Sequence, residues 1–267
     1  MCLIAVAIGA SKRWPLVVAA NRDEFLDRPT LPLARWTSDA GTEIISGRDL
    51  RAGGTWMGLS PSGRIAMLTN VRGPASLTGE KSRGELVTRW LESDGDAASF
   101  MAQIEPQAYG GFNLVLGDFN RSAWHWLSNK PGPKLESRAL KPGVYGLSNG
   151  ALDTPWPKTL GLKKALYSAL TASDEDALQA ELMAALRDRR RADREDLPST
   201  GVPLALEEAL SSAFVDFPEH SYGTRCSTVL VASATSEGWD LALQEVTHAH
   251  RADDIPGAQN VRLRWEG

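Results

Sequence analysis

The chain has 267 residues, 42% of them hydrophobic, a formal net charge of −4 and two cysteines. That length and apolar content suit a sizeable core, and the chain is read as one α+β domain over residues 1–267. A mild charge with no basic stripe argues against a nucleic-acid partner, and two cysteines give neither a disulfide framework nor a zinc pattern, so a reducing cytoplasm is the expected setting. No apolar stretch approaches the roughly 18 residues needed to span a bilayer.

The chemistry concentrates at the start. Cys2 follows the initiator methionine, and removal of Met1 would leave thiol and α-amine on one residue. A thiol of pKa about 8.5 beside an α-amine of about 7.7–8.0 supplies nucleophile and base together. Leu3–Ile8 and Leu16–Ala20 are apolar runs joined by the turn-rich Gly9-Ala10-Ser11-Lys12-Arg13, which predicts a hairpin buried on both faces. Antiparallel pairing returns Asn21-Arg22-Asp23-Glu24 towards Cys2, where Arg22 and Asp23 would lower the thiol pKa and orient the ammonium. The plainer reading of the same residues is a small apolar strand start and a solvated turn. A signal peptide is not expected, because no basic region precedes the apolar run, which meets Lys12-Arg13 instead of a small-residue cleavage site.

Further along, Phe25 to Ala40 carries Pro29 and Pro32 and reads as a long loop. Glu43–Ser46 is a short strand. Thr55–Leu59 and Arg64–Thr69 flank Pro61-Ser62-Gly63, a hairpin turn. A helix is expected from about Ser82, with Leu86, Val87, Trp90 and Leu91 on one stripe, and another over Asp96–Ile104. Phe112–Leu116, Ala123–Leu127 and Val144–Ser148 form a second block of strands. Pro157–Ala169 and Asp174–Arg187 show helical spacing, the latter with Leu178, Leu182, Met183 and Leu186 on one face. Asp188–Asp196 is a mixed-charge run read as a solvated helix end or a mobile loop, not a binding site. A third helix is expected over Leu204–Ala213, then strands at Ser227–Ala232 and Trp239–Val246, with an edge strand at Val261–Trp265. Strands alternating with helices in this way suit two sheets covered by helices, although propensity does not separate that layout from other α+β folds.

The ordered set Met1-Cys2, Ala20-Asn21-Arg22-Asp23-Glu24-Phe25, Gly53-Gly54-Thr55-Trp56-Met57-Gly58, Leu68-Thr69-Asn70 and Gly223-Thr224-Arg225-Cys226-Ser227-Thr228-Val229 resembles the NRDE family, also called the transport and Golgi organization protein 2 family. The resemblance implies an N-terminal nucleophile hydrolase-like protein with a four-layer αββα fold of two mainly antiparallel sheets. Asn70 and Asn149 also resemble segments of the penicillin V acylase and bile salt hydrolase family, and that likeness implies catalytic roles for Cys2, Arg22, Asp23, Asn70, Asn149 and Arg225. In this scheme the two asparagines donate to the oxyanion and Arg225 assists Cys2 or a substrate carboxylate. The relatives separate their arginine and aspartate, whereas Arg22 and Asp23 are adjacent and should point to opposite faces of a strand. Asn149-Gly150 is equally a turn pair. His248-x-His250 would share a strand face but makes no metal pattern, and Trp36, Trp56 and Trp156 lie near the site segments.

The expected activity is hydrolysis of a small non-peptide amide through a thioester on Cys2, with a small amide or acyl compound as ligand and no cofactor. The alternative is a binding protein for haem or lipid. Haem would then bind non-covalently, since no Cys-x-x-Cys-His motif is present.

Overall fold

The computed structural model describes residues 2–73, 79–130, 134–236, 238–250 and 254–266. In chain order the elements are β1 (Cys2–Ile8), β2 (Leu16–Phe25), β3 (Thr30–Thr37), β4 (Glu43–Asp49), β5 (Met57–Ser60), β6 (Arg64–Asn70), α1 (Gly84–Glu92) and α2 (Ala97–Ala102). There follow β7 (Phe112–Asp118), β8 (Ala123–Ser128), β9 (Glu136–Ala139), β10 (Gly143–Leu147), α3 (Pro157–Ala169), α4 (Glu175–Leu186) and α5 (Leu204–Ala209). The chain closes with β11 (Asp216–Phe217), β12 (Tyr222–Ala234), β13 (Gly238–Thr247) and β14 (Gly257–Glu266). These elements group into two compact units, one of Met1–Asp27, Arg72–Pro74 and Pro142–Glu266, the other of Arg28–Val71 and Ala75–Lys141.

The first unit is built on an antiparallel sheet in the order β10-β1-β2-β12-β13-β14, with β11 added to β12. Its centre is the hairpin of β1 and β2, whose Leu3–Ile8 and Leu16–Ala20 are buried along their whole length. A strand without a solvated face reads as a continuous apolar run, which is why the sequence shows no alternation here. Gly9 begins the turn at φ +56°, a left-handed conformation that glycine adopts without strain. One face of the sheet meets α3 and α4: Leu3, Ala5, Val17, Ala19, Val229 and Val231 pack with Leu162, Leu166, Leu178, Leu182 and Leu186. Asp174 caps α4 by accepting the Ala177 N–H at 2.8 Å.

The second unit carries the antiparallel sheet β3-β4-β5-β6-β7-β8-β9. Its helix α1 buries Leu86, Val87, Trp90 and Leu91, the stripe expected from spacing, against Ile44, Ala66, Leu114 and Leu116. The β5–β6 hairpin turns through Gly63 at φ +83°.

Several expectations need correction. Phe25–Ala40 is not one loop: β2 runs to Phe25, and Thr30–Thr37 forms β3 on β4. Pro32 has no N–H for a ladder, and the structure accommodates it at the edge of the sheet within a register shift between Leu31 and Ala34. The short strand β9, exposed at every residue, carries no apolar signal at all. β10 does not join β7 and β8 but pairs with β1 in the other sheet. The third helix ends at Ala209, four residues early. No described helix is long and apolar enough to cross a membrane.

Candidate active site

The open end of the β1–β2 hairpin brings most of the expected residues of the first unit together. Cys2 pairs with Arg22 across β1 and β2, and Arg22 pairs with Cys226 across β2 and β12. Directly opposed residues in antiparallel strands project to the same face, so the two thiols flank the guanidinium. All three side chains are buried. Cys2 and Cys226 lie two strand spacings apart, roughly 9.5 Å, beyond the Cα separation a disulfide can bridge. Both are free thiols.

Strand alternation sends Asp23 to the opposite face from Arg22. Asp23 Oδ1 accepts the Thr224 hydroxyl at 2.7 Å, and the Tyr222 hydroxyl donates to the Asp23 carbonyl at 2.8 Å. Arg22 faces Glu24 at 3.7 Å. Asn21 anchors the strand. Its amide donates to the carbonyls of Leu186 and Ala213, both at 2.8 Å, and its Oδ1 accepts from Ser227. Of the four residues that spell the motif, the first is thus structural, while the charges of the other three all act on the Cys2 thiol.

Burial dominates the electrostatics. It pushes the Cys2 thiol up to about 11; the terminal ammonium and Arg22 oppose that, while Asp23 and Glu24 reinforce it. The expected lowering by Arg22 is therefore present but outweighed in the chain that carries Met1. Burial also lifts Asp23, against the pull of Lys158, the terminal ammonium, the Thr224 hydrogen bond and Arg72. Cys226 is raised well above its ordinary value, again by burial first and then by Glu245.

Asn149 follows β10, which pairs Leu147 with Ile4. Continuing that register by two positions sets Asn149 opposite Cys2, and the Ser148 hydroxyl donates to the Cys2 carbonyl at 3.1 Å. Asn149 is fully buried, and its carbonyl accepts the Arg72 N–H at 2.7 Å. Arg225 is the extra residue of a bulge, because the pairing with β2 skips from Thr224 to Cys226. Its guanidinium donates to the carbonyls of Phe25 and Leu26, at 3.0 and 3.1 Å. Asn70 ends β6 in the second unit, opposite Phe112.

The structure adds residues that sequence reasoning missed. Lys158, in the first turn of α3, is buried; burial lowers its pKa to about 8 against the opposing effect of Asp23. It precedes Leu162, a core residue, by one turn on the same face, which is the only trace of its position in the sequence. Arg72 and Glu207 form a buried ion pair at 2.5 Å, and Trp156 lies under the Arg72 guanidinium at 4.8 Å from the ring centre. Nothing in the sequence announces that pair. Of the other tryptophans singled out, Trp36 and Trp56 belong to the second unit, where Trp36 donates to Ser46. His248 contacts the Ser227 hydroxyl and His250 the Thr224 carbonyl. Among the described residues no cluster of three or more His, Cys, Asp or Glu side chains could hold a metal ion.

Two antiparallel sheets with their own helices, and a cysteine at the start of a central strand, define a protein of the N-terminal nucleophile hydrolase fold class. A solved structure, the Caenorhabditis elegans N-acylethanolamine-hydrolyzing acid amidase ortholog, superposes with a TM-score of 0.51 over 86% of this chain and 92% of its own, at 11% identity. Residues 1–241 match the model of the family Transport and Golgi organisation 2, and the chain belongs to that family. The Bos taurus Transport and Golgi organization protein 2 homolog is 35% identical over 239 residues, 83% of either chain, and the Mus musculus homolog 33% over 237 residues, also 83% of each.

Proposed function

We propose that the chain is an N-terminal cysteine amidohydrolase that cleaves a small non-peptide amide once Met1 has been removed. The observation that carries this reading is the register of the hairpin end, with Cys2 opposite Arg22 and Asp23 one residue further along β2. The likeness in fold to an amidase that hydrolyses N-acylethanolamines supports the reaction class. Removal of Met1 places an α-amine on the nucleophile itself, and the amine takes the thiol proton as Sγ attacks the amide carbonyl. The side-chain amide of Asn149 donates to the oxyanion that develops. The C–N bond breaks, the amine passes its proton to the leaving nitrogen, and a thioester remains on Cys2. Water then attacks the thioester with the same amine as base, which releases the acid and restores the thiol. Arg22 stabilises the thiolate and Asp23 orients the terminal amine. We place the reaction in the cytoplasm, where both thiols stay reduced.

The test begins with N-terminal mass analysis, followed by incubation of the Met-cleaved protein with an activated acyl amide. The expected result is an acyl adduct on the Cys2 peptide, release of the amine, and loss of both in Cys2→Ala. Asn149→Ala should slow single-turnover acylation by about 10²–10³ without an early melt. Absence of any adduct on Cys2 of the Met-cleaved chain overturns the proposal. Non-covalent binding of haem or lipid then becomes the better reading, and a Soret shift on haem titration is its sign.

A further inference from the structure

Open donors gather around Lys158. The charges of Asp23 on β2, Arg72, Cys2 on β1 and Glu207 on α5 all act on this lysine. Glu207 is engaged at both carboxylate oxygens and Asp23 at Oδ1. Asp23 accepts the Thr224 hydroxyl, while Glu207 accepts Arg72 Nη1 at one oxygen and the Thr200 N–H and hydroxyl at the other. Lys158 Nζ and Arg72 Nε and Nη2, by contrast, are buried with no hydrogen-bond partner among the described residues. Lys158 is 7% exposed and Arg72 8%. Buried polar groups nearly always find partners, so two cationic side chains with open N–H groups near the Cys2 thiol call for a further acceptor.

The local backbone points the same way. Lys158 stands in the first turn of α3, a helix of 13 residues whose N-cap, Trp156, gives no side-chain cap and whose first residue, Pro157, has no N–H. An uncapped helix start concentrates outward N–H groups and the positive end of the helix dipole, which favours an anion. The Arg72 guanidinium lies over the Trp156 ring at the same helix end, with its Nη1 spent on Glu207 and its Nε edge left over. A planar donor edge and an ammonium together match the oxygens of a carboxylate or phosphate.

We propose that Lys158, Arg72 and the start of α3 form an oxyanion-binding subsite beside Cys2, which takes a carboxylate or phosphate carried by the acyl compound bound there. The identity of that compound as a substrate rests on the amidohydrolase reading above; the binding itself does not. An anion in this subsite satisfies the open donors, so the ligand's charged end is anchored while its acyl carbon reaches Cys2.

The experiment uses the full chain with Cys2→Ala, so that no turnover is needed. Thermal unfolding is followed at pH 7 and fixed ionic strength while inorganic phosphate or acetate is titrated. A saturable rise in Tm with one of the two is expected, and the arm that responds names the group. The apparent Kd should weaken at least tenfold in Lys158→Met and in Arg72→Lys, which keeps a cation for Glu207 but removes the planar edge. It should not change in Arg190→Gln, an exposed surface cation. No saturable rise in either arm, or equal Kd values in the parent and Lys158→Met, overturns the subsite. With Cys2 restored, an amide bearing the anionic group should exceed its neutral counterpart at least tenfold in kcat/KM. Anion binding without any turnover sinks only the hydrolase reading, whereas turnover with no anion binding sinks only the subsite.

Discussion

At the scale of single residues the centre is defined by opposing demands on protons. The Cys2 thiol is lifted to about 11 by burial, so the thiolate is scarce at neutral pH unless a base is close. In the proposed mechanism an α-amine on the same residue would answer that need, so the reading requires removal of Met1. Lys158 shows the reverse shift, from 10.5 to about 8. Between those values the unfolded chain holds a proton that the folded chain has released, so this group destabilises the fold below pH 8 and the penalty is relieved as pH rises towards 10.5. Lys158→Met should therefore be more stable than the parent at pH 7, by on the order of 3 kcal/mol. Denaturant unfolding of both proteins at pH 7, 9 and 10 checks this: the gap must narrow with pH, and a constant gap would show that Lys158 is neutralised by some other partner.

At the scale of elements, β12 is the strand that decides the geometry. Its Ser227–Ala232 half pairs with β2 in unbroken register, and its Tyr222–Thr224 end does so again after the bulge at Arg225. The bulge lets Thr224 meet Asp23 and Cys226 meet Arg22 with one residue to spare. Arg225 closes that irregularity by donating to two carbonyls at the end of β2. Arg225→Ala should lower stability by about 1–3 kcal/mol through the loss of charged donors to those carbonyls. The folded variant should still be acylated on Cys2 at the parent's rate. A selective kinetic defect with an unchanged melt would instead give Arg225 the substrate-directed role that the acylase likeness implies.

At the scale of the whole molecule, stability towards acid carries the mark of His248. Burial and the nearby Arg187, His250 and Arg189 hold it at about 4, well under its ordinary 6.5. Its Nε2 lies 2.8 Å from the Ser227 hydroxyl, and its ring stands edge-on to Phe214 at 4.8 Å between centres. From pH 6.5 down to 4 the unfolded chain takes up a proton that the folded chain refuses, so stability falls across that window. Melting curves of the parent and His248→Gln at pH 7, 6, 5 and 4.5 should converge as pH drops, because only the parent loses this contribution. Parallel curves would place the acid sensitivity in other groups.

How much of this was legible in the chain follows from the range of the forces involved. Local patterns reported themselves: the continuous apolar runs of β1 and β2, the Leu178-Leu182-Met183-Leu186 stripe of α4 and the Gly63 turn are each written within a few residues. The return of Arg22 to Cys2 was also legible, since a hairpin fixes its own register. Beyond that the sequence fell silent. β3 and β9 lie at sheet edges, where hydrogen bonding to a neighbour replaces apolar burial as the reason to be a strand, and β10 could join either sheet on its own pattern. The Arg72–Glu207 pair spans 135 residues, and Lys158 looks like any solvated lysine at a helix start. Charges enter a core only where distant segments close over them, and that closure belongs to the tertiary structure alone.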